Sequence, residues 1–248
     1  MDKNAIEISR LDFTYPDGTK ALSDITLDVR ENETMGLIGS NGAGKSTLLL
    51  HLNGIFFGSC PIKIMGVPVT EKRLNQVRSQ VGMVFQDSDH QLFMPTVFDD
   101  VSFGPVNMRM DKEEVAASVQ WALREVDVLP LARRPSHHLS VGEKRRVSIA
   151  TVLSMKPAII VLDEPSSNLD PKHRRELIEL LNRLAMTKII ATHDLPLVWD
   201  TCDRVALMDG GTICAVGTTK GILSDTALME NHGLYMPFIK LENESSPA

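Results

Sequence analysis

The chain has 248 residues, of which 43% are hydrophobic and 23% charged, a balance typical of a globular protein with one sizeable core. Its formal net charge of −6 provides no basic footprint for nucleic acid, so we expect no nucleic-acid partner. Apolar runs stay short of the ~18 residues of a membrane span, and the N-terminus lacks the order of a signal peptide. Cys60, Cys202 and Cys214 show no metal-ligand spacing, and we expect reduced thiols in a protein of the cytosol.

Two antiparallel strands are predicted at the start of the chain. Ile25, Leu27 and Val29 alternate with polar residues, which is the period-2 pattern of a half-buried strand. The turn Pro-Asp-Gly at 16–18 connects this strand to an earlier one over residues 4–13.

From residue 34 onward, short apolar segments alternate with helix-like segments, the pattern of a parallel sheet with helical crossovers. The predicted strands cover 34–38, 81–85, 158–162 and 187–191. Near the C-terminus, the sequence MDGGT at 208–212 predicts a hairpin turn between two further strands.

A helical insert, roughly residues 90–155, separates the second and third of these strands. Asp111 and Glu114 form the signature of a capping box at one helix start, and Ser140 and Glu143 form the same signature at a second. The apolar stripe of the first helix is Val115, Val119, Leu123 and Val126. The chain is therefore predicted to be an α/β protein with an antiparallel β subdomain and an inserted α-helical subdomain.

The segment GSNGAGKS fits the phosphate loop G-x-x-x-x-G-K-[ST], and it lies between a predicted strand and a predicted helix. Its glycines let the backbone wrap a phosphate, while Lys45 reaches the β and γ phosphates and Ser46 can ligate Mg²⁺. The predicted nucleotide-binding residues of this segment are Gly39, Ser40, Asn41, Gly42, Ala43, Gly44, Lys45, Ser46 and Thr47.

Polar side chains follow three of the predicted parallel strands, at the edge where such sheets bind ligands. Asp163 is expected to hold Mg²⁺, and Glu164 is then free to polarise an attacking water. Gln86 follows a second strand, where its amide could ligate Mg²⁺ or orient water. His193 follows a third, where a histidine serves structure as often as function. We predict Glu164, His193 and Gln86 as catalytic residues.

In this order, the motifs resemble an ATP-binding-cassette ATPase, built on a P-loop NTPase core, over residues 1–217. The remaining residues, 218–248, form a C-terminal extension with a flexible tail. Two further motifs carry the resemblance, namely the signature LSVGE at 139–143 and SNLD at 167–170. The resemblance implies ATP and Mg²⁺ as cofactors.

The resemblance also implies roles for individual residues. Tyr15 stacks on adenine and His193 contacts the γ phosphate. Two chains pair head to tail, so that Ser140 and Gly142 of one chain face the ATP of the other.

The signature departs from the family pattern LSGGQ at positions 141 and 143. Val141 replaces a glycine. A β-branched residue does not easily take a positive φ, and it brings a side chain to the dimer interface, so we expect slower closure of the dimer. The alternative is an ordinary helical backbone at this position, in which case Val141 has little effect. Ser140 and Gly142, the residues expected to touch phosphate, are kept.

The segment 86–105 resembles that of energy-coupling-factor importer ATPases, particularly those of cobalt and nickel uptake. The resemblance implies a homodimer on the cytoplasmic face of the membrane, bound peripherally through a membrane coupling subunit that docks near 86–105, with a membrane substrate-binding component. Leu92, Phe93 and Met94 are candidates to line the docking groove, or alternatively belong to the core. The alternatives for function are a vitamin importer of the same type and a soluble non-transport ATPase of the family.

Overall fold

The computed structural model describes residues 3–58 and 62–235. Cys60 and residues 236–248, which include the tail predicted to be flexible, lie outside the described residues. The strands are β1 (Asn4–Thr14), β2 (Lys20–Arg30), β3 (Thr34–Ile38), β4 (Ile62–Ile64), β5 (Val67–Pro68), β6 (Val81–Val84), β7 (Ile159–Asp163), β8 (Thr187–Ala191), β9 (Arg204–Asp209) and β10 (Thr212–Thr218). The helices are α1 (Lys45–Leu52), α2 (Leu74–Gln80), α3 (Val97–Asn107), α4 (Lys112–Glu125), α5 (Val141–Leu153), α6 (Pro171–Arg183), α7 (Leu195–Thr201), α8 (Thr219–Leu223) and α9 (Thr226–Asn231).

The N-terminal sheet is antiparallel, with the strand order β2-β1-β4-β5. The alternation along β2 places Ile25, Leu27 and Val29 on the buried face, while the residues between them are exposed. β1 pairs with β2 in a register that sets Ile8 opposite Leu27. The predicted pair of N-terminal strands is therefore confirmed.

The second sheet has the strand order β10-β9-β3-β8-β7-β6, and all neighbours except β10 and β9 run parallel. Every residue of β3, β7 and β8 is buried, as expected for strands covered on both faces. The predicted strands 34–38 and 187–191 match the observed bounds. The predicted strand 81–85 ends one residue beyond β6, and the predicted strand 158–162 lies one residue before β7 at both ends. The carboxyl ends of β3, β8, β7 and β6 consequently meet at one edge.

The helices α3, α4 and α5 follow β6 and precede β7 in the chain, and they pack together as one helical layer. Both predicted capping boxes are present, with Asp111 and Glu114 at the start of α4 and Ser140 and Glu143 at the start of α5. The prediction of backbone strain at Val141 is wrong, because this residue is the first of α5 and does not have a positive φ. A residue in the first helical turn needs no left-handed conformation, so a β-branched side chain fits there.

Two apolar cores flank the parallel sheet, one shared with the helical layer and one with the antiparallel sheet. The α/β class with an antiparallel β subdomain and a helical insert is confirmed. After β9 and β10, whose turn contains Gly210 and Gly211, the chain continues into α8 and α9. Within residues 3–58 and 62–235, no helix combines the length and apolarity that crossing a membrane requires.

Candidate nucleotide-binding site

The phosphate-loop residues between β3 and α1 adopt a conformation that requires glycine at two positions. Gly44 has a φ of 99°, and a Cβ atom on it would come within 2.8 Å of the carbonyl oxygen of Ala21. Gly39 has a φ of 153°, and a Cβ atom there would collide with the carbonyl oxygen of Met208. The loop is thus packed closely against β2 and β9, with its open side available to a ligand.

Lys45, the first residue of α1, is buried inside the loop. Its Nζ donates hydrogen bonds to the carbonyl oxygens of Gly39 at 2.8 Å and Ser40 at 3.1 Å. Glu164 Oε1 lies 3.9 Å from the same nitrogen. Burial lowers the pKa of Lys45, and the carboxylates of Glu164 and Asp163 oppose that effect. The ammonium group is therefore positioned to meet an anion at the loop.

Asp163 ends β7 and is buried. Burial raises the pKa of its carboxyl group, and a hydrogen bond with the Ser46 side chain partly offsets the shift. Its Oδ1 atom has no hydrogen-bond partner among the described residues. An unpartnered carboxylate oxygen beside a serine hydroxyl is an oxygen donor set of the kind that Mg²⁺ prefers, so these residues fit the ion that the sequence predicts.

Glu164, which directly follows β7, has a φ of 43°, in the left-handed region where non-glycine residues are strained. Its Oε2 accepts hydrogen bonds from Thr192 Oγ1 at 2.8 Å and from the His193 backbone N–H at 3.4 Å. Its Oε1 lies 2.9 Å from His193 Nδ1. The two segments after β7 and β8 thus hold the carboxylate in one orientation.

Tyr15 and His193 both line a cavity of about 350 Å³ at this edge of the sheet. Tyr15 Oη is 2.8 Å from Thr47 Oγ1, and the side chain of His193 is 62% exposed. Of the predicted residues, those that line the cavity are Tyr15, Asn41, Gly42, Gly44, Lys45, Ser46, Thr47, Gln86, Glu164 and His193. Asp163 and Gln86 line a neighbouring cavity of about 810 Å³, so Gln86 borders both.

The structure places two predicted residues elsewhere. Ser140 and Gly142 lie at the start of α5 and are not among the residues that line the 350 Å³ cavity. Ser140 Oγ is 2.9 Å from Glu143 Oε2. Within one chain, these two residues therefore lie outside the cavity that Lys45 and Glu164 line.

The sequence reasoning missed two residues that the site depends on. Thr192 is fully buried and binds Glu164, and its position between β8 and His193 was the available signal. Arg145 is 3% exposed and donates from Nη1 and Nη2 to the carbonyl oxygens of Phe85 and Gln86, at 2.8 and 2.6 Å. It lies on the buried face of α5, three residues after the buried Gly142, and a charge at such a position predicts a polar partner.

The sequence profile of the ABC transporter family matches residues 22–167, which include the phosphate loop, the signature and the carboxylates of Asp163 and Glu164. The chain belongs to the ABC transporter family. This ABC ATPase binds and hydrolyses ATP.

Relatives over nearly the whole length support the assignment. The ABC ATPase is 48% identical to a putative ABC transporter ATP-binding protein of Streptomyces coelicolor over 94% of this chain and 90% of that protein. It is 46% identical to the energy-coupling factor transporter ATP-binding protein EcfA of Carboxydothermus hydrogenoformans, over 95% and 88%. Among solved structures, CbiO1 of Clostridium perfringens, described as part of the ABC transporter complex CbiONQ, matches with a TM-score of 0.84 and 37% identity, over 98% of this chain and all of that one.

Proposed function

We propose that this ABC ATPase energises a membrane importer of the energy-coupling-factor type. Its similarity to a protein named EcfA, at 46% identity, and to CbiO1, at 37%, supports this type of transporter. The observation that carries the ATP-hydrolysing role is the position of Glu164, which is held by Thr192 and His193 and lines a cavity together with Lys45.

In the proposed site, ATP lies in the 350 Å³ cavity with its adenine on Tyr15 and its phosphates in the loop. Lys45 balances the charge of the β and γ phosphates, and His193 contacts the γ phosphate. Glu164 takes a proton from the attacking water, and its hydrogen bonds to Thr192 and His193 keep the carboxylate directed.

Mg²⁺ fits beside these residues. Ser46 and Asp163 would hold it, and Gln86, which borders both cavities, would complete the protein ligands. When bound, the ion neutralises phosphate charge as the reaction proceeds. The raised pKa of Asp163 is expected to fall once this positive charge is present.

The separation of Ser140 and Gly142 from the ATP cavity supports the head-to-tail dimer. The start of α5 presents free backbone N–H groups and the positive end of the helix dipole. In one chain these groups have no ATP to bind, so we propose that they bind the γ phosphate held by the other chain, and that two identical chains enclose two ATP molecules.

A groove of about 880 Å³ beside the helical layer is the proposed docking place of the membrane coupling subunit. Phe93 is 62% exposed and packs its ring edge-on against Phe103 at 5.1 Å, which leaves an apolar surface on the protein. Leu92 is 8% exposed and belongs to the core, so of its two alternatives, groove lining and core, the second holds. A short apolar helix of the coupling subunit would fit this surface and keep the ABC ATPase at the cytoplasmic face of the membrane.

For the cargo we propose cobalt or nickel, on the resemblance of segment 86–105 to such ATPases. A vitamin carried by the same type of importer is the second candidate. Copurification of the native membrane complex, followed by metal analysis of what cells accumulate, separates the two. Accumulation of a vitamin without metal would overturn the cobalt or nickel assignment, and a protein that copurifies with no membrane component would overturn the importer.

The catalytic proposal is tested by Glu164→Gln. This change keeps the size of the side chain and removes the base, so turnover should fall by about 10²–10⁴-fold. Because Lys45, Ser46 and Asp163 are unchanged, the variant should still bind ATP and accumulate as a dimer in light scattering. Lys45→Ala should instead lose nucleotide binding and stay monomeric. A Glu164→Gln protein that hydrolyses ATP at nearly the wild-type rate would remove Glu164 from the base role.

A further inference from the structure

His173 connects two elements of the ABC ATPase whose sequences lie far apart. It is the third residue of α6, and its Nδ1 is 2.7 Å from Oδ2 of Asp170, the last residue of SNLD. Asp170 Oδ1 also accepts the backbone N–H of His173 at 2.9 Å. The SNLD segment therefore determines where the imidazole lies.

On its other side, the imidazole packs against Gly142 of the signature. A Cβ atom on Gly142 would lie 2.6 Å from His173 Cγ and 3.0 Å from Nε2, closer than side chains tolerate. Gly142 does not have a positive φ, so the backbone alone does not require a glycine there. The imidazole of His173 is the reason that this position has no room for a side chain.

A second contact joins the same two helices about one turn further along. Arg146, four residues after Gly142 on α5, places Nη1 at 3.4 Å from Oε2 of Glu176, three residues after His173 on α6. Spacings of three and four residues put each pair of contact residues on one helix face. The two contacts form a seam between the first half of α5 and the first half of α6.

We propose that His173 is a positioning residue that couples the signature helix to the SNLD segment of its own chain. The two elements then approach the partner's ATP as one unit, with Gly142 at a set distance from Asp170. The inference rests on the proposed head-to-tail dimer. His173 touches no reacting atom, and it acts through the position of Gly142, because hydrogen bonds to phosphate weaken steeply when a donor is displaced.

The first experiment measures dimerisation with ATP in the Glu164→Gln background, by light scattering over a range of protein concentrations. His173→Ala should weaken dimerisation about tenfold, the usual coupling between residues in contact. The affinity of the single chain for a fluorescent ATP analogue should stay unchanged, because the phosphate loop is not altered. Arg175→Ala, at an exposed position on the same helix, is the matched control and should dimerise like the parent.

The outcomes separate the inference from the function on which it rests. A Glu164→Gln parent that does not dimerise with ATP would overturn the dimer and the inference with it. A parent that dimerises, with a His173→Ala derivative that dimerises equally well, would overturn the inference alone. Equal loss in Arg175→Ala would also overturn it, because the effect would then belong to α6 in general.

The second experiment uses the collision between position 142 and the imidazole, with Glu164 intact. Gly142→Ala should lose ATP turnover because its Cβ atom displaces His173. The double variant Gly142→Ala with His173→Ala should be at least about threefold more active than Gly142→Ala, since the two sites couple. A residue that only stabilises the fold would make the two losses add. Thermal unfolding must first show that both variants are folded. A double variant that is then no more active than Gly142→Ala would overturn the proposal.

Discussion

Arg145→Met would release the segment that carries Gln86 from the helical layer. Arg145 joins the two through hydrogen bonds to the carbonyl oxygens of Phe85 and Gln86, which directly follow β6. Methionine keeps an apolar stem that can fill the buried space, but it offers no donor. Both carbonyl oxygens then lose a hydrogen-bond partner inside the protein.

The structure sets the size of the effect. A hydrogen bond to a charged group contributes about 1.5–3 kcal/mol, so the two bonds allow about 3–6 kcal/mol. Burial of the guanidinium opposes this gain, since it lowers the pKa of Arg145, and Nε has no partner among the described residues. We therefore expect Arg145→Met to lower the free energy of unfolding by about 2–4 kcal/mol. In a domain of this size that change lowers Tm by about 4–16 °C.

The same variant should affect catalysis more than nucleotide affinity. Lys45 and the phosphate loop are untouched, whereas Gln86 loses the bond that sets its backbone. Displacement of a group in the site by about 1 Å costs about tenfold to a hundredfold in turnover. Urea unfolding without nucleotide and ATPase kinetics well below the melting temperature measure the two effects.

Lys144→Met is the matched control on the same helix. Lys144 pairs with the exposed Asp89 at 2.6 Å, and such a pair contributes less than about 1 kcal/mol. Arg145→Met should therefore be clearly less stable than Lys144→Met. Equal stability of the two variants, or wild-type turnover in Arg145→Met, would refute the role of Arg145.

Three further changes have expected outcomes. Burial raises the pKa of Asp163, and the stabilisation of its protonated form is lost as pH rises through the folded-state pKa. Asp163→Asn should therefore stabilise the nucleotide-free protein by about 1 kcal/mol near neutral pH and by less in acid, measured by urea unfolding, and destabilisation would contradict this. Val141 is 53% exposed in α5, so Val141→Gly should change ATP turnover by less than about twofold. A large rise in the ATPase rate would restore the strain hypothesis. Burial raises the pKa of the Cys202 thiol to about 12, so iodoacetamide should label the exposed Cys214 and leave Cys202 unmodified, as read by mass spectrometry of the folded protein, whereas labelling of Cys202 would show an open core.

Features that depend on neighbouring residues could be predicted from the sequence. The alternation of β2 and the apolar segment 187–191 predicted strands, because side-chain period and burial are properties of a short segment. The box of Ser140 and Glu143 predicted the first turn of α5, because its donors and acceptors lie within four residues. The phosphate loop was predicted for the same reason, since one continuous segment supplies its glycines and Lys45.

The alternatives that the sequence left open at Val141 and Leu92 are decided by the structure, for physical reasons. For Val141, the resemblance suggested a glycine, and the sequence did not show whether that glycine served backbone freedom or space. The structure shows an ordinary helical backbone at Val141. At Gly142 a glycine is needed for space, because His173 packs there. Leu92 lies beside Phe93 in the chain, yet only the packing of the helical layer decides that one side chain is buried and the other exposed.

The relations between distant segments were decided by the tertiary structure. The sequence predicted that strand ends converge, but the strand order brings Glu164 next to Thr192, 28 positions further along the chain. Arg145 and Gln86 are 59 positions apart, and Asp170, His173 and Gly142 meet only where the first turn of α5 comes against the first turn of α6. Such contacts arise when helices and strands pack together. The period of apolar residues along an element predicts which of its faces is buried, but it does not predict which residue of the neighbouring element that face contacts.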